Sequence, residues 1–144
     1  LPTHIEALIA DALFRHLSTL SLSPALQIAW QGTSYDPPSD GGAYLRASYI
    51  PNTVDTATIS RWDRRYGIFQ VDVMWPENKG VIPAAEVAGQ IADHFPRDTT
   101  KLTAGTSTVK IYRTPVIGSA LPDPPRMMIP VSVYYECFHE NQEQ

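Results

Sequence analysis

The stretch "YGIFQVDVMW", Tyr66–Trp75, alternates apolar and polar residues more regularly than any other part of the chain. Phe69, Val71, Val73 and Trp75 fall on one side and Gln70, Asp72 and Met74 on the other, the period-two pattern of a strand with one face in a core. A strand is therefore predicted here, and the rest of the chain must supply its cover and its neighbours. Asp72 is the one carboxylate inside the run. As a general acid or base it would need a partner in a water-poor cleft, yet Glu77 and Lys79 lie in a turn beyond Trp75. Alternation alone explains its position, and the mixed surface it shares with Gln70 and Met74 suits solvent or a neighbouring subunit.

Downstream, "PENKG" (76–80) reads as a turn, and "VIPAAEVAGQIADHF" (81–95) carries Ala84, Val87, Ala88, Ile91 and Phe95 at helical spacing. Pro83 suits the first turn of that helix, where a missing N–H costs nothing, and Pro96 ends it. Two further strands are predicted in "TVKIYRT" (108–114) and "RMMIPVSVYYECF" (126–138), separated by "GSALPDPP". Pro130 cannot donate to a ladder, so its position requires an edge or a bulge. "HENQEQ" (139–144) reads as a polar tail that frays.

Upstream, "ALQIAW" and "AYLRASYI" read as strands on either side of a "DPPSDGG" loop. "NTVDTATISRWDRR" has β-branched residues without clean alternation and is read as a long connection or the frayed arms of a hairpin. At the N-terminal end, "THIEALIADALFRHLSTL" opens with Thr3 and has Glu6 three positions on, a capping-box pattern. Ile5, Leu8, Ile9, Ala12, Leu13, Leu17 and Leu20 then form one helical stripe, with His16 at its border. The resulting order, α-β-β-β-α-β-β(-β), predicts an α+β fold: a mostly antiparallel sheet of five to six strands with two helices on one face, forming a single domain over residues 1–138.

Composition limits the function. With 144 residues the chain can bury one core, and 43% hydrophobic against 18% charged residues is globular rather than disordered. A net charge of −4 opposes broad attraction to a phosphate backbone, so no nucleic-acid contact is required. The lone Cys137 rules out an internal disulfide framework. No apolar run reaches membrane-spanning length, so no membrane contact is expected and the chain reads as soluble and intracellular when made.

No catalytic, cofactor-binding or metal-binding residue is predicted, and the chain is not expected to be an enzyme. His4, His16, His94 and His139 are scattered without ligand spacing. Cys137 and His139 could share a strand face, but a buried structural cysteine is the simpler reading. "DGG" (40–42) and "TAGTST" (103–108) lack the glycines and following lysine of a phosphate loop and read as turns. Arg61, Arg64 and Arg65 beside Trp62 and Tyr66 mix arginine with aromatics, as protein interfaces do; the plain alternative is a solvated hairpin arm.

Taken together, "THIEALIADALFRHL", "YLRASYIPN", "RRYGIFQVDVMWPENKG", "PAAEVAGQIADHF" and "RMMIPVSVYYE" resemble the tail terminator, or tail-completion (neck), proteins of long-tailed phages and prophages. The resemblance implies a structural virion protein at the tail neck, assembled in the bacterial host cytoplasm. Such a protein forms a ring, commonly a hexamer, that caps the tail tube, stops its polymerisation and offers a head-joining surface. Its implied partners are further copies of itself, the tail-tube protein and head–tail connector proteins; no cofactor is implied. Our own reading of the residues places the subunit contacts at Arg61, Trp62, Arg64, Arg65, Tyr66 and Asp72, and at Tyr134, Tyr135 and Phe138 on an exposed edge of the last strand. The alternatives are an adaptor domain that binds another protein by its sheet edge and, further off, a small enzyme built on Asp72.

Overall fold

The computed structural model describes residues 2–56, 62–98 and 100–140. Tyr66–Trp75 lies within β4 (Trp62–Pro76), a strand that begins four residues earlier than its alternation suggested. Before it come α1 (Ile5–Ser18), β1 (Ile28–Trp30), β2 (Tyr44–Pro51) and β3 (Asp55–Thr56). After it come α2 (Ile82–Asp93), β5 (Lys101–Ala104), β6 (Ser107–Ile111), β7 (Val116–Ile117), β8 (Leu121–Asp123) and β9 (Arg126–Glu140).

The strands form one sheet ordered β1-β2-β4-β9-β6-β5, with β3 on β4 and β7 and β8 on β9. Among the described residues nine strands replace the five to six predicted, because several connections pair locally. β3, β7 and β8 are two or three residues long, too short to show a period. All pairs are antiparallel except β1 with β2, which makes the sheet mixed.

β4 and β9 are the spine. They pair without interruption from Trp62↔Glu140 to Pro76↔Arg126. Strand β9 is also paired along its other side, by β6, β7 and β8 in turn. The last strand is therefore interior, which corrects the expectation of an exposed edge there. It also runs through His139 and Glu140, into the segment read as a tail. Pro130 sits where the outer side of β9 passes from β7 to β8, and its carbonyl accepts from the Gly118 N–H (2.8 Å). Nitrogen and oxygen of one strand residue point the same way, so its missing N–H falls at that junction and β4 loses no bond.

The odd-numbered residues of β4 and β9 face the helices. Phe69, Val71, Val73, Val131 and Val133 are fully buried there, against Ile9, Leu13 and Leu17 of α1. The predicted stripe of α2, Ala84, Val87, Ala88, Ile91 and Phe95, is buried without exception. α1 starts one residue later than the capping-box reading: His4 is the N-cap, and its Nδ1 accepts from the Glu6 N–H (3.1 Å). Glu6 is thereby too early in the helix for the reciprocal bond, and its carboxylate serves elsewhere. At the other end of the helices, His16 and His94 stack at 4.1 Å, and each ring donates from Nε2 to the other residue's carbonyl at 2.7 Å.

The opposite, outer side of the sheet is covered only in part. The loop from Gln31 to Gly42 returns across it, with Tyr35 packed on Tyr44 at 5.2 Å. Arg126 fixes that loop, donating from Nε to Gly42 O and from Nη2 to Pro38 O, both at 2.8 Å.

Candidate functional site

Strand alternation sorts the residues expected at subunit contacts. Arg64 and Arg65 are neighbours in sequence and point to opposite sides of the sheet. Arg65 faces the helices, where its Nη1 donates to Glu6 Oε2 at 2.6 Å and the Tyr49 hydroxyl donates to Glu6 Oε1. Tyr135 stacks on Tyr49 at 5.6 Å and is 1% exposed. Burial raises the Tyr135 hydroxyl pKa to about 12, and burial together with the Glu6 carboxylate raises that of Tyr49 further, so both stay protonated. Arg65 and Tyr135 thus belong to the interior that locks α1 onto the sheet. Arg61 lies outside the described residues.

Trp62, Arg64, Tyr66, Tyr134 and Phe138 all fall on the outer side, brought together by the register Arg64↔Phe138, Tyr66↔Glu136 and Ile68↔Tyr134. Arg64 organises them. Its Nε donates to Glu136 Oε1 (2.9 Å), its Nη1 lies 3.6 Å from Asp55, and its guanidinium sits 4.2 Å over the Tyr66 ring. Arg113 covers Tyr134 in the same way at 4.5 Å. Such stacked guanidinium and aromatic pairs give a rigid surface with little entropy left to lose on docking.

Beside them, where β4 begins and β9 ends, opens a groove of about 670 Å³, lined by Trp62, Lys101, Thr108, Lys110, Glu136 and Phe138 among others. Phe138 is 51% and Trp62 48% exposed. Two large aromatic side chains half in water at one groove make it a candidate interaction surface, as a scattered exposed leucine would not.

Asp72 is also on the outer side, but it is 2% exposed and does not line the groove. Its Oδ2 accepts from Arg46 Nε (3.2 Å) and its Oδ1 from Gln70 Nε2 (2.7 Å). The carboxylate is ion-paired and hydrogen-bonded within the chain, and its partner Arg46 has a side chain that is 44% exposed. Cys137 faces the helices and is buried, which pushes its thiol up to about 11, far from the range of a nucleophile. His139 points instead to Ser107, with Nδ1 and Oγ 2.9 Å apart. Among the described residues no three His, Cys, Asp or Glu side chains converge as a metal site would require. No helix among them is long and apolar enough to cross a membrane.

Sequence reasoning missed Glu136, Tyr112, Arg113, Lys101 and Lys110. The signal for Glu136 was available, since it alternates with Tyr134 and Phe138 on one side of β9. Lys101 and Lys110 meet only because β5 and β6 form a hairpin with Lys101 opposite Lys110, around a turn in which Gly105 takes a positive φ of 64°.

The family model for the phage tail terminator protein matches residues 8–135. The chain belongs to the phage tail terminator family. That span runs from α1 to Tyr135 of β9 and includes each of the elements that carried the resemblance. One solved structure of a related chain, with no functional description, is 30% identical and superposes with a TM-score of 0.74, over 92% of this chain and 94% of that one. A chain from the virion of a native gene transfer agent (GTA) particle shares the fold at 11% identity, with a TM-score of 0.61 over 95% of this chain and 98% of that chain. No curated protein matches. Membership makes this a structural protein of the phage virion.

Proposed function

We propose that this chain caps the tail tube as a ring of identical subunits, ends tail polymerisation and presents the surface to which the head is joined. The family match across residues 8–135 carries the reading. The likeness in fold to a chain of a gene transfer agent virion accords with a place in such a particle. Its partners are then six-fold copies of itself, the tail-tube protein and the head–tail connector proteins, and its place is the tail neck of a phage or prophage particle assembled in the host cytoplasm.

A closed ring needs two different patches on each subunit that meet head to tail. Trp62, Arg64, Tyr66, Tyr134 and Phe138 form one such patch, of the aromatic and arginine composition enriched at interface cores. Arg65 and Tyr135 support it from the helix side, and Asp72 holds Arg46 in place further along the same side of the sheet.

The test is addition of the purified chain to polymerising tail-tube protein. Rings at tube ends in negative stain, with tubes of limited length, are the expected result. Tubes that grow unchecked and show bare ends in its presence would sink the reading.

A further inference from the structure

The groove beside Phe138 has a counterpart on the same chain. Ile82, the first residue of α2, is 75% exposed and Val81 before it 51%, the most exposed pair of adjacent large aliphatic residues among those described. Glu86 lies one helical turn on, exposed and on the same face of α2, and the helix contains no basic residue. An apolar knob with an acidic neighbour therefore faces, in character, a groove walled by Trp62 and Phe138 and edged by Lys101, Lys110 and Glu140; Lys110 lies 3.8 Å from Asp98, which leaves Lys101 as the cation best placed for an incoming carboxylate. Glu136, also in the groove, is already held by Arg64 at 2.9 Å.

The two features cannot meet within one molecule. The groove is on the outer side where β4 starts, and α2 begins past the far end of β4, on the helix side of the sheet. Fifteen strand residues separate these ends by about 45–50 Å at the usual rise. Two unlike patches too far apart to meet within one molecule suit a head-to-tail contact between copies; a two-fold contact would place one patch against itself.

We infer that the Val81–Ile82 knob of one subunit docks into the Trp62–Phe138 groove of the next, with Glu86 facing Lys101. This rests on the ring reading above and names its junction.

The test uses full-length chains with tail tubes present, a chemical crosslinker and a denaturing gel. Wild type gives a ladder up to the full ring. Ile82→Glu, which spoils only the knob, and Phe138→Glu, which spoils only the groove, each give monomer alone. Their equimolar mixture stops at the dimer, because a single competent junction remains. Both side chains are exposed, so melting curves should match wild type; Thr108→Trp, which fills the groove without adding charge, checks the groove side independently and also gives monomer. Single variants that produce the wild-type ladder would overturn the junction and leave the ring standing. A wild-type chain that yields only monomer on tubes would overturn both.

Discussion

At Gly67 a side chain has nowhere to go. A Cβ there would lie 2.4 Å from the Ile50 carbonyl oxygen and 2.8 Å from the Tyr135 hydroxyl. Gly67→Ala must push β2 off β4 or displace Tyr135, and we expect a cost of about 1–3 kcal/mol, read as a lower urea midpoint at unchanged m-value. Cys137 makes the opposite kind of prediction. With its thiol raised to about 11 by burial, it should resist thiol reagents at pH 8 in the native chain and react only when the chain unfolds; brisk native-state labelling would contradict the packing described for β9. Asp72 shows how far single residues could be read from the sequence. Its side of the strand followed from alternation, but its burial did not. That comes with Arg46 of β2 and Gln70 closing on the carboxylate, and Arg46 is brought there by the pairing of β2 with β4, which no local pattern states. Arg64 and Arg65 teach the same lesson: a cluster in sequence is divided by a period of two.

The helices were legible because their stripes are long. Each predicted apolar position of α2 is buried, whereas β3, β7 and β8 are too brief for periodicity and exist only because β4 and β9 offer them an edge. The contact between the helix ends was invisible, since His16 and His94 are 78 residues apart. Their reciprocal bonds carry a pH signature. His16 has its pKa lowered from 6.5 by burial, with the neighbouring His94 adding to the effect and the bond to the His94 carbonyl opposing it. Below pH 6.5 the unfolded chain binds a proton that the folded chain resists, so this contribution is intact above that pH and is lost as the pH falls through and below it. We expect the melting temperature of wild type to drop between pH 7.5 and 5.5, and His16→Gln to show a shallower drop. Parallel curves for the two would remove His16 as the cause. Arg126 is an element-scale anchor too. Arg126→Met should speed amide exchange across the Pro38–Gly42 loop, by releasing the two carbonyls it holds, before it affects the helix side.

One sheet, one helix layer and a spine shared by most strands should unfold together. Trp30, Trp62 and Trp75 lie at different places in the sheet, so fluorescence and far-ultraviolet circular dichroism should trace the same denaturation curve. Separate transitions would mean that the outer strands melt on their own. The fold class was legible at this scale because it needs only the order of helices and strands. The sheet order was not, since it depends on pairings such as Trp62 with Glu140, which no local pattern encodes. That order also governs timing during synthesis. β9 leaves the ribosome after the other described elements, yet it fills the middle of the sheet, so β4 must wait with a long unpaired edge until residues 126–140 arrive. A product cut short before Arg126 has no route to a native core and goes to aggregation or proteases.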